Sequence, residues 1–176
     1  RKARMLTNKK ISIIGTGNMG KALVSGLICS RSSKPENIIC TDTRGNKLES
    51  IKKEYGVATT TDNNSAVKTS DIVIYAVKPQ IMASVLKETA AALDMSKLII
   101  SIAAGVPLAA IELCLHKELR LIRVMPNIAV SVKEGASAIA AGKHAFKDDI
   151  NMAKAIFDSV GKSVFIDENI LMDAIT

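Results

Sequence analysis

Three glycines near the start of this 176-residue chain have the spacing of a phosphate-binding turn. Gly15, Gly17 and Gly20 form the pattern Gly-x-Gly-x-x-Gly, directly after the apolar run 11–14 and at the start of a helical pattern. In such a turn the first glycine permits a tight exit from a strand, the second lets the backbone approach a pyrophosphate, and the third allows the helix to pack closely on the strand. Free N–H groups at the helix start would face the anion. A tight turn without a ligand is the alternative, but the position between strand and helix favours a dinucleotide site.

The residues after the second apolar run could distinguish between two dinucleotides. Asp42 lies 22 positions after Gly20, close to where an acid binds the ribose 2′-hydroxyl of NAD. Arg44 would suit the 2′-phosphate of NADP, to which Thr41 and Thr43 could also donate. The acid and the arginine therefore indicate different cofactors. We expect NADP, with NAD as the alternative.

Two further loops carry small or charged residues where predicted strands end. Ligands of open α/β sheets bind outside the carboxyl ends of the strands, so both loops are expected near the same crevice. In the segment 101–107, the small residues 103–105 would permit close approach of the nicotinamide ribose. In the segment 76–80, Lys78 could equally be a structural charge and Pro79 a helix start.

These loops need a scaffold in which several strands end at one edge. Short β-branched runs alternate with helical patterns along the chain, which predicts βαβ units. One helical pattern has an apolar stripe of Ile81, Val85, Leu86 and Leu93. The predicted fold class is α/β: a Rossmann-like, doubly wound, mostly parallel sheet with helices on both faces. The predicted strands are 11–14, 37–40, 57–59, 71–77, 97–101, 121–125, 135–142 and 163–166, and short or late helices are predicted at 66–69 and 148–159.

The composition excludes several other classes of function. Aromatic residues make up 3% of the chain and there is no Trp, which argues against a stacking platform for single-stranded nucleic acid. The first ten residues hold five basic groups and no acid, so residues 1–9 are expected to be a basic disordered arm or an expression remnant rather than a nucleic-acid contact. Cys29, Cys40 and Cys114 are too widely spaced for a metal site and are interpreted as inert core thiols. No apolar run reaches the roughly 18 residues of a membrane span and no signal peptide is recognisable, so a cytoplasmic protein with no membrane partner is expected.

Four motifs, taken in order, resemble the pyrroline-5-carboxylate reductase family. They are IGTGNMGKAL (14–23), AVKPQ (76–80), SIAAGVPL (101–108) and RVMPNIA (123–129); Gly161 and the turn near Glu168 also fit. The resemblance runs from about Lys10 to Thr176, and related nicotinamide reductases share the first motif without the full set. It implies an oxidoreductase of proline biosynthesis that reduces the C=N bond of 1-pyrroline-5-carboxylate to L-proline with NADPH or NADH.

The resemblance also assigns cofactor-binding residues. No residue is expected to be catalytic, because the cofactor carries the hydride and the pyrroline nitrogen can be protonated near neutral pH. The spacing arguments above contribute Gly20, Asp42, Arg44 and Gly105. The resemblance implies contacts from Ile14, Gly15, Thr16, Gly17, Asn18, Met19, Thr41, Asn63, Ala76, Val77, Lys78, Pro79, Ile102, Ala103, Ala104 and Asn127.

Family members continue past the equivalent of Thr176 into a Ser-Gly-Ser-Gly segment and a helical domain that forms a dimer and completes the substrate site. The resemblance therefore implies that residues 10–166 are the dinucleotide-binding domain and that residues 167–176 open a helix leading to the missing domain. It implies a homo-oligomer with a small-molecule substrate, and a fragment that binds cofactor without efficient turnover. Ile128 and Ala129 stand where the family usually has Thr-Pro. Two alternatives therefore stay open: a non-catalytic NAD(P)-binding sensor or interaction protein, and a reductase of another imine.

Overall fold

The computed structural model describes residues 5–127 and 135–167, which form one eight-stranded sheet. Its order is β3-β2-β1-β4-β5-β6-β7-β8, and each strand is parallel to its neighbour except β7, which runs antiparallel to β6. The chain builds outward from β1 in both directions, as a doubly wound sheet does. The strands are β1 (Ile11–Ile14), β2 (Ile38–Thr41), β3 (Ala58–Thr60), β4 (Ile72–Tyr75), β5 (Leu98–Ser101), β6 (Arg120–Pro126), β7 (Gly135–Ala141) and β8 (Gly161–Phe165).

Helices cover both faces of this sheet and divide the core into two layers. Within β1, Ile11 and Ile13 belong to one layer and Ile14 to the other, because successive side chains of a strand point to opposite faces. Strands buried on both faces must be apolar at nearly every position, which explains the continuous β-branched runs. Among the described residues, no helix combines the length and apolar character needed to cross a membrane. The helices are α1 (Asn18–Cys29), α2 (Gly45–Tyr55), α3 (Asn63–Lys68), α4 (Pro79–Thr89), α5 (Leu108–Leu115) and α6 (Lys147–Phe157).

The sheet confirms the predicted fold class and shifts several boundaries. Every predicted strand is present, with ends that differ by at most two residues. The short helix predicted at 66–69 begins earlier, at Asn63, because the Asp62 carboxylate caps it by accepting a hydrogen bond from Ser65 N at 3.1 Å. The last strand begins at Gly161 rather than at 163.

Residues 5–9, which the sequence analysis assigns to a disordered arm, are anchored to the fold instead. Leu6 is fully buried in the same core layer as Ile11. Its carbonyl accepts a hydrogen bond from Lys9 N at 3.1 Å, and the Thr7 carbonyl accepts one from the Asn37 side chain at 2.9 Å. Met5 packs against the same core, so apolar contacts and hydrogen bonds together anchor this segment to the fold. Residues 1–4, and the helix predicted over 167–176 apart from Asp167, lie outside the described residues.

The three cysteines lie in different surroundings. Cys40 lies in β2 and is fully buried, and this burial raises its pKa to about 12. Cys114 is half-buried. Cys29 ends α1 and is exposed, so its interpretation as a core thiol is wrong.

Asp149 joins the antiparallel end of the sheet to its parallel part. Its carboxylate is fully buried and accepts hydrogen bonds from Arg120 Nε at 3.1 Å, from Arg120 Nη2, and from Phe146 N at 2.8 Å. Arg120 also donates to the Ser96 carbonyl at 3.2 Å, so one ion pair ties α6, β6 and the turn before β5 together. The hydrogen bond with Asp149 raises the pKa of Arg120.

We expect Asp149→Ala to destabilise the protein by about 3 kcal/mol, because it leaves the Arg120 charge without its buried partner. The neighbouring exposed acid supplies the control, since Asp148→Ala should change stability by no more than about 0.5 kcal/mol. Urea unfolding of the three proteins measures both effects. Equal midpoints for the two variants would contradict the assigned role of Asp149.

Candidate dinucleotide-binding site

A cavity of about 290 Å³ lies at the carboxyl ends of β1, β2 and β4. The chain leaves β1 in one direction towards β2 and β3 and in the other towards β4, so the loops after these strands diverge and leave a crevice between them. Ten of the predicted cofactor residues line this cavity. They are Ile14, Gly15, Gly17, Thr41, Asp42, Arg44, Asn63, Ala76, Val77 and Lys78, and Thr43, Thr61, Ile81 and Val85 complete the wall.

The three glycines of the loop are required for different reasons. Gly15 has φ +100°, and a Cβ there would lie 2.7 Å from the Ala76 carbonyl oxygen. A Cβ at Gly20 would collide with the Gly15 carbonyl oxygen, where α1 passes close to the end of β1. A Cβ at Gly17 would meet nothing within 4 Å, and its φ of −67° suits any residue. The fold therefore needs the first and third glycines but not the second, which leaves close approach of a ligand as the reason for Gly17.

The start of α1 offers positive charge to that ligand. Gly17 is the N-cap of this 12-residue helix, and no side chain caps it. The first N–H groups of a helix, here those of Asn18 and Met19, have no acceptor inside the helix. The helix dipole adds partial positive charge at the same end, and no acid in the first turn neutralises it. This is the electrostatic arrangement that binds a pyrophosphate.

Asp42 and Arg44 form an ion pair at the edge of the cavity. Asp42 Oδ1 accepts from Arg44 N and Arg44 Nε, both at 3.0 Å, while Oδ2 accepts from Thr16 N at 3.1 Å and Thr16 Oγ1 at 2.9 Å. The Asp42 side chain is 6% exposed and that of Arg44 58% exposed. Partial burial by itself would raise the pKa of Asp42, but the hydrogen bonds from Arg44 and Thr16 lower it to about 2. The acid is therefore directed at the protein's own loop, and the arginine is open to solvent.

A second chain of hydrogen bonds orients Thr41 and Asn63 at the cavity. Asn63 Nδ2 donates to Glu88 Oε2 at 3.1 Å, so its Oδ1 faces Thr41 and accepts from the Thr41 hydroxyl at 2.6 Å. A carboxylate can only accept, which fixes the direction of both bonds. The Thr41 hydroxyl therefore donates its single proton to Asn63, and its oxygen can only accept a hydrogen bond from any further group. Glu88 is an element of the site that the sequence analysis missed.

The apolar stripe of α4 belongs in part to the cavity rather than to the core. Val85 and Leu86 are buried, but Ile81 is 49% exposed and forms the cavity wall with Val85. Leu93 lies beyond the end of α4 at Thr89. The apolar stripe in the sequence does not reveal whether protein or ligand covers Ile81, and here it faces the cavity. Lys78, the N-cap of α4, and Pro79, its first residue, hold this helix at the cavity edge.

The remaining predicted residues do not line the cavity. Thr16, Asn18, Met19 and Gly20 belong to the glycine loop and the start of α1. Ala103 is 1% exposed and packs in the core, with its N–H donating to Ser101 Oγ at 3.3 Å. Asn127 follows β6 and pairs with β7, since its N–H donates to the Ala136 carbonyl at 3.1 Å and its Oδ1 accepts from Ala136 N at 3.2 Å. Ile102, Ala104 and Gly105 follow β5, on the same edge of the sheet as the cavity.

A larger cavity, of about 410 Å³, lies beside α5 and the ends of β7 and β8. It contains Glu112, Lys143 and Asp167 but neither the glycine loop nor the start of a long helix. Volume alone does not identify a binding site, and the donor groups that suit a dinucleotide surround the smaller cavity.

Comparison with known proteins agrees with this assignment. Residues 10–105, more than half of the chain, match a family described as NADP oxidoreductase, coenzyme F420-dependent. The chain belongs to this family. Similar curated proteins include the pyrroline-5-carboxylate reductase of Methanosarcina acetivorans, 46% identical over 171 residues, covering 97% of this chain and 63% of the relative. The pyrroline-5-carboxylate reductase of Synechocystis is 39% identical over 167 residues, covering 95% of this chain and 61% of the relative.

Solved structures give the same result. A pyrroline-5-carboxylate reductase from Coxiella burnetii superimposes with a TM-score of 0.92 at 35% identity, covering 96% of this chain and 63% of that one. A pyrroline carboxylate reductase from Plasmodium falciparum with NADP bound has a TM-score of 0.81 at 31% identity, covering 92% of this chain and 58% of that one. The predicted resemblance and the Rossmann-like fold are confirmed. The chain spans about three fifths of the length of these relatives.

We expect Gly17→Ala to affect cofactor binding and Gly20→Ala to affect the stability of the fold. Gly17→Ala should leave stability within about 1 kcal/mol of the wild type, since its φ suits alanine. It should nevertheless weaken binding of a nicotinamide dinucleotide by about tenfold or more, which corresponds to about 1.4 kcal/mol. Gly20→Ala should destabilise the fold by about 2 kcal/mol or more, because its Cβ meets backbone. Thermal unfolding and a cofactor titration separate the two, and unchanged affinity in a folded Gly17→Ala protein would contradict the site.

Proposed function

We propose that this chain is the cofactor-binding part of an NADP(H)-dependent reductase that converts 1-pyrroline-5-carboxylate to L-proline, with residues 10–166 as its dinucleotide-binding domain. The observation that carries the cofactor site is Gly17, whose missing side chain has no packing reason. The names of the relatives support the substrate. The sequence alternatives, a non-catalytic cofactor sensor and a reductase of another imine, become outcomes of the tests below.

The preference for NADP rests on the two charged residues that follow β2. A carboxylate has about four acceptor sites, and donors from Thr16 and Arg44 already occupy those of Asp42. The Arg44 guanidinium donates from Nε at 3.0 Å and from Nη2 at 3.5 Å to Asp42, and a guanidinium has five N–H groups, so Nη1 and one N–H of Nη2 are left for another anion. A 2′-phosphate therefore finds a charged, exposed donor, whereas a 2′-hydroxyl finds an acid that is already occupied.

Several groups around the cavity suit this reaction. A bound reduced nicotinamide would supply the hydride for the C=N carbon. The N–H groups at the start of α1 would hold the pyrophosphate, and Ile81 with Val85 would exclude water from one side of the cavity. The small residues Ala104 and Gly105 leave space beyond the end of β5. We assign no catalytic residue among the described residues, because a pyrroline nitrogen can be protonated near neutral pH. The reaction then requires that substrate and cofactor be oriented and that water be excluded from the site.

The assembly and location of the whole protein stay predictions. The relatives extend beyond the matched region, and the family resemblance assigns a dimer-forming, substrate-completing domain to that extension. A homo-oligomer, a cytoplasmic location and a helix over residues 167–176 are expected on the same basis.

Cofactor preference is tested by titrating the chain with NADPH and NADH and following nicotinamide fluorescence. Arg44→Ala should lower the affinity for NADPH by about 10- to 100-fold, as expected for a lost charge-assisted contact, and change the affinity for NADH little. Lys53→Ala, which removes an exposed cation from the distal part of α2, is the matched control and should change neither. An equal effect of Arg44→Ala on both cofactors would contradict a 2′-phosphate contact.

The reaction is tested with the full-length protein encoded by the gene. Oxidation of NADPH that depends on added 1-pyrroline-5-carboxylate and yields proline is expected. Cofactor binding without turnover would favour the sensor, and turnover only with other cyclic imines would favour a reductase of different specificity.

A further inference from the structure

The acid at the end of β2 is committed to the glycine loop. We infer that Asp42 is a positioning residue that holds the phosphate-binding loop through Thr16, and that it does not bind the adenosine ribose. This inference rests on the proposed function, since it concerns how the same site recognises its dinucleotide. From its spacing after Gly20 alone, Asp42 would instead be assigned as a ribose ligand.

The first step of the argument is the occupancy of the carboxylate. Thr16 N and Thr16 Oγ1 donate to Oδ2, and Arg44 N and Arg44 Nε donate to Oδ1. With a longer fifth contact, from Arg44 Nη2 to Oδ2 at 3.5 Å, these donors fill the roughly four acceptor sites of a carboxylate. A ribose hydroxyl could therefore reach Asp42 only by displacing one of them.

The second step is the cost of that displacement. Thr16 is 5% exposed, so its N–H and hydroxyl would be left as buried donors without an acceptor. Arg44 N belongs to the backbone turn that starts α2. Only the exposed Arg44 guanidinium could be displaced at low cost, and a cofactor with a 2′-phosphate has no need to displace it. The bonds to Asp42 can persist while Arg44 Nη1 and the second N–H of Nη2 meet the phosphate.

The third step is what the held loop does. Thr16 lies between Gly15 and Gly17, and Gly15 N donates to the Thr41 carbonyl at 2.9 Å. Two consecutive loop residues are thus attached to the end of β2 by three hydrogen bonds, directly before the residue whose backbone the pyrophosphate approaches. A loop held in its binding conformation loses less conformational freedom when the ligand arrives. The pyrophosphate is common to NADH and NADPH, so the Asp42–Thr16 contact should serve both equally.

The decisive experiment changes Thr16 rather than Asp42, because removing the carboxylate would also alter the charge beside the phosphate. Thr16→Val keeps the shape and the charge and removes the hydroxyl donor. It should weaken binding of NADH and NADPH by the same factor, of about three- to tenfold, because the loop loses part of its preorganisation while the Thr16 N–H bond to Asp42 remains. Thr69→Val, which removes a hydroxyl at the exposed end of α3, is the control and should change neither affinity. If Asp42 were a ribose ligand, Thr16→Val would free an acceptor and strengthen NADH binding selectively, which would overturn the inference.

A second measurement needs no variant. The wild-type chain is titrated with NADH and with an NADH analogue that lacks the 2′-hydroxyl of the adenosine ribose. We expect affinities within about twofold of each other, since no bond to Asp42 is lost, whereas one lost hydrogen bond to a charged group would cost about tenfold or more. A tenfold loss with the analogue overturns the inference and leaves the proposed function intact. Failure of the wild-type chain to bind either natural cofactor would overturn the proposed function and this inference together.

Discussion

The close contact between α1 and the end of β1 is the constraint on which the binding site depends. The Gly20 Cα lies against the Gly15 carbonyl, so the helix starts immediately outside the sheet. Only a residue without a Cβ permits this distance. The consequence is electrostatic, because the N–H groups of the first turn and the helix dipole are brought to the crevice where the loops after β1, β2 and β4 diverge. Gly15 serves the same arrangement from the other side, with a positive φ and its own contact to Ala76.

The polar groups around this point are organised by contacts among themselves. Asp42 binds Thr16 and Arg44, while Thr41 binds Asn63, which in turn binds Glu88. Both networks start from neighbouring residues at the end of β2, and they connect that strand to the glycine loop, α3 and α4. The polar groups at the end of β2 are therefore already oriented by contacts within the protein. Such preorganisation suits a reaction whose chemistry resides in the cofactor and whose protein supplies orientation.

The stability of the sheet is maintained at the opposite edge, far from the site. The Asp149–Arg120 pair joins α6 to the first residue of β6, at the amino end of the parallel strands. Leu6 closes the core on the α1 face, although it comes from a segment dominated by basic residues. Function at the carboxyl edge and anchoring at the amino edge agree with the general placement of ligands in open α/β sheets.

The sequence by itself determined the fold class, every strand and the glycine loop, because these depend on local periodicity and on residue types with few substitutes. Strands buried on both faces must read as apolar runs, and a turn such as that of Gly15 admits little but glycine. Only the tertiary structure decided which side chains share an acceptor. Sequence spacing placed Asp42 at the ribose position, yet its carboxylate accepts a hydrogen bond from Thr16, which lies 26 residues away in the sequence. The same holds for Ile81, Leu6 and Glu88, whose roles depend on what lies opposite them across the fold, and a one-dimensional pattern carries no information about that neighbour.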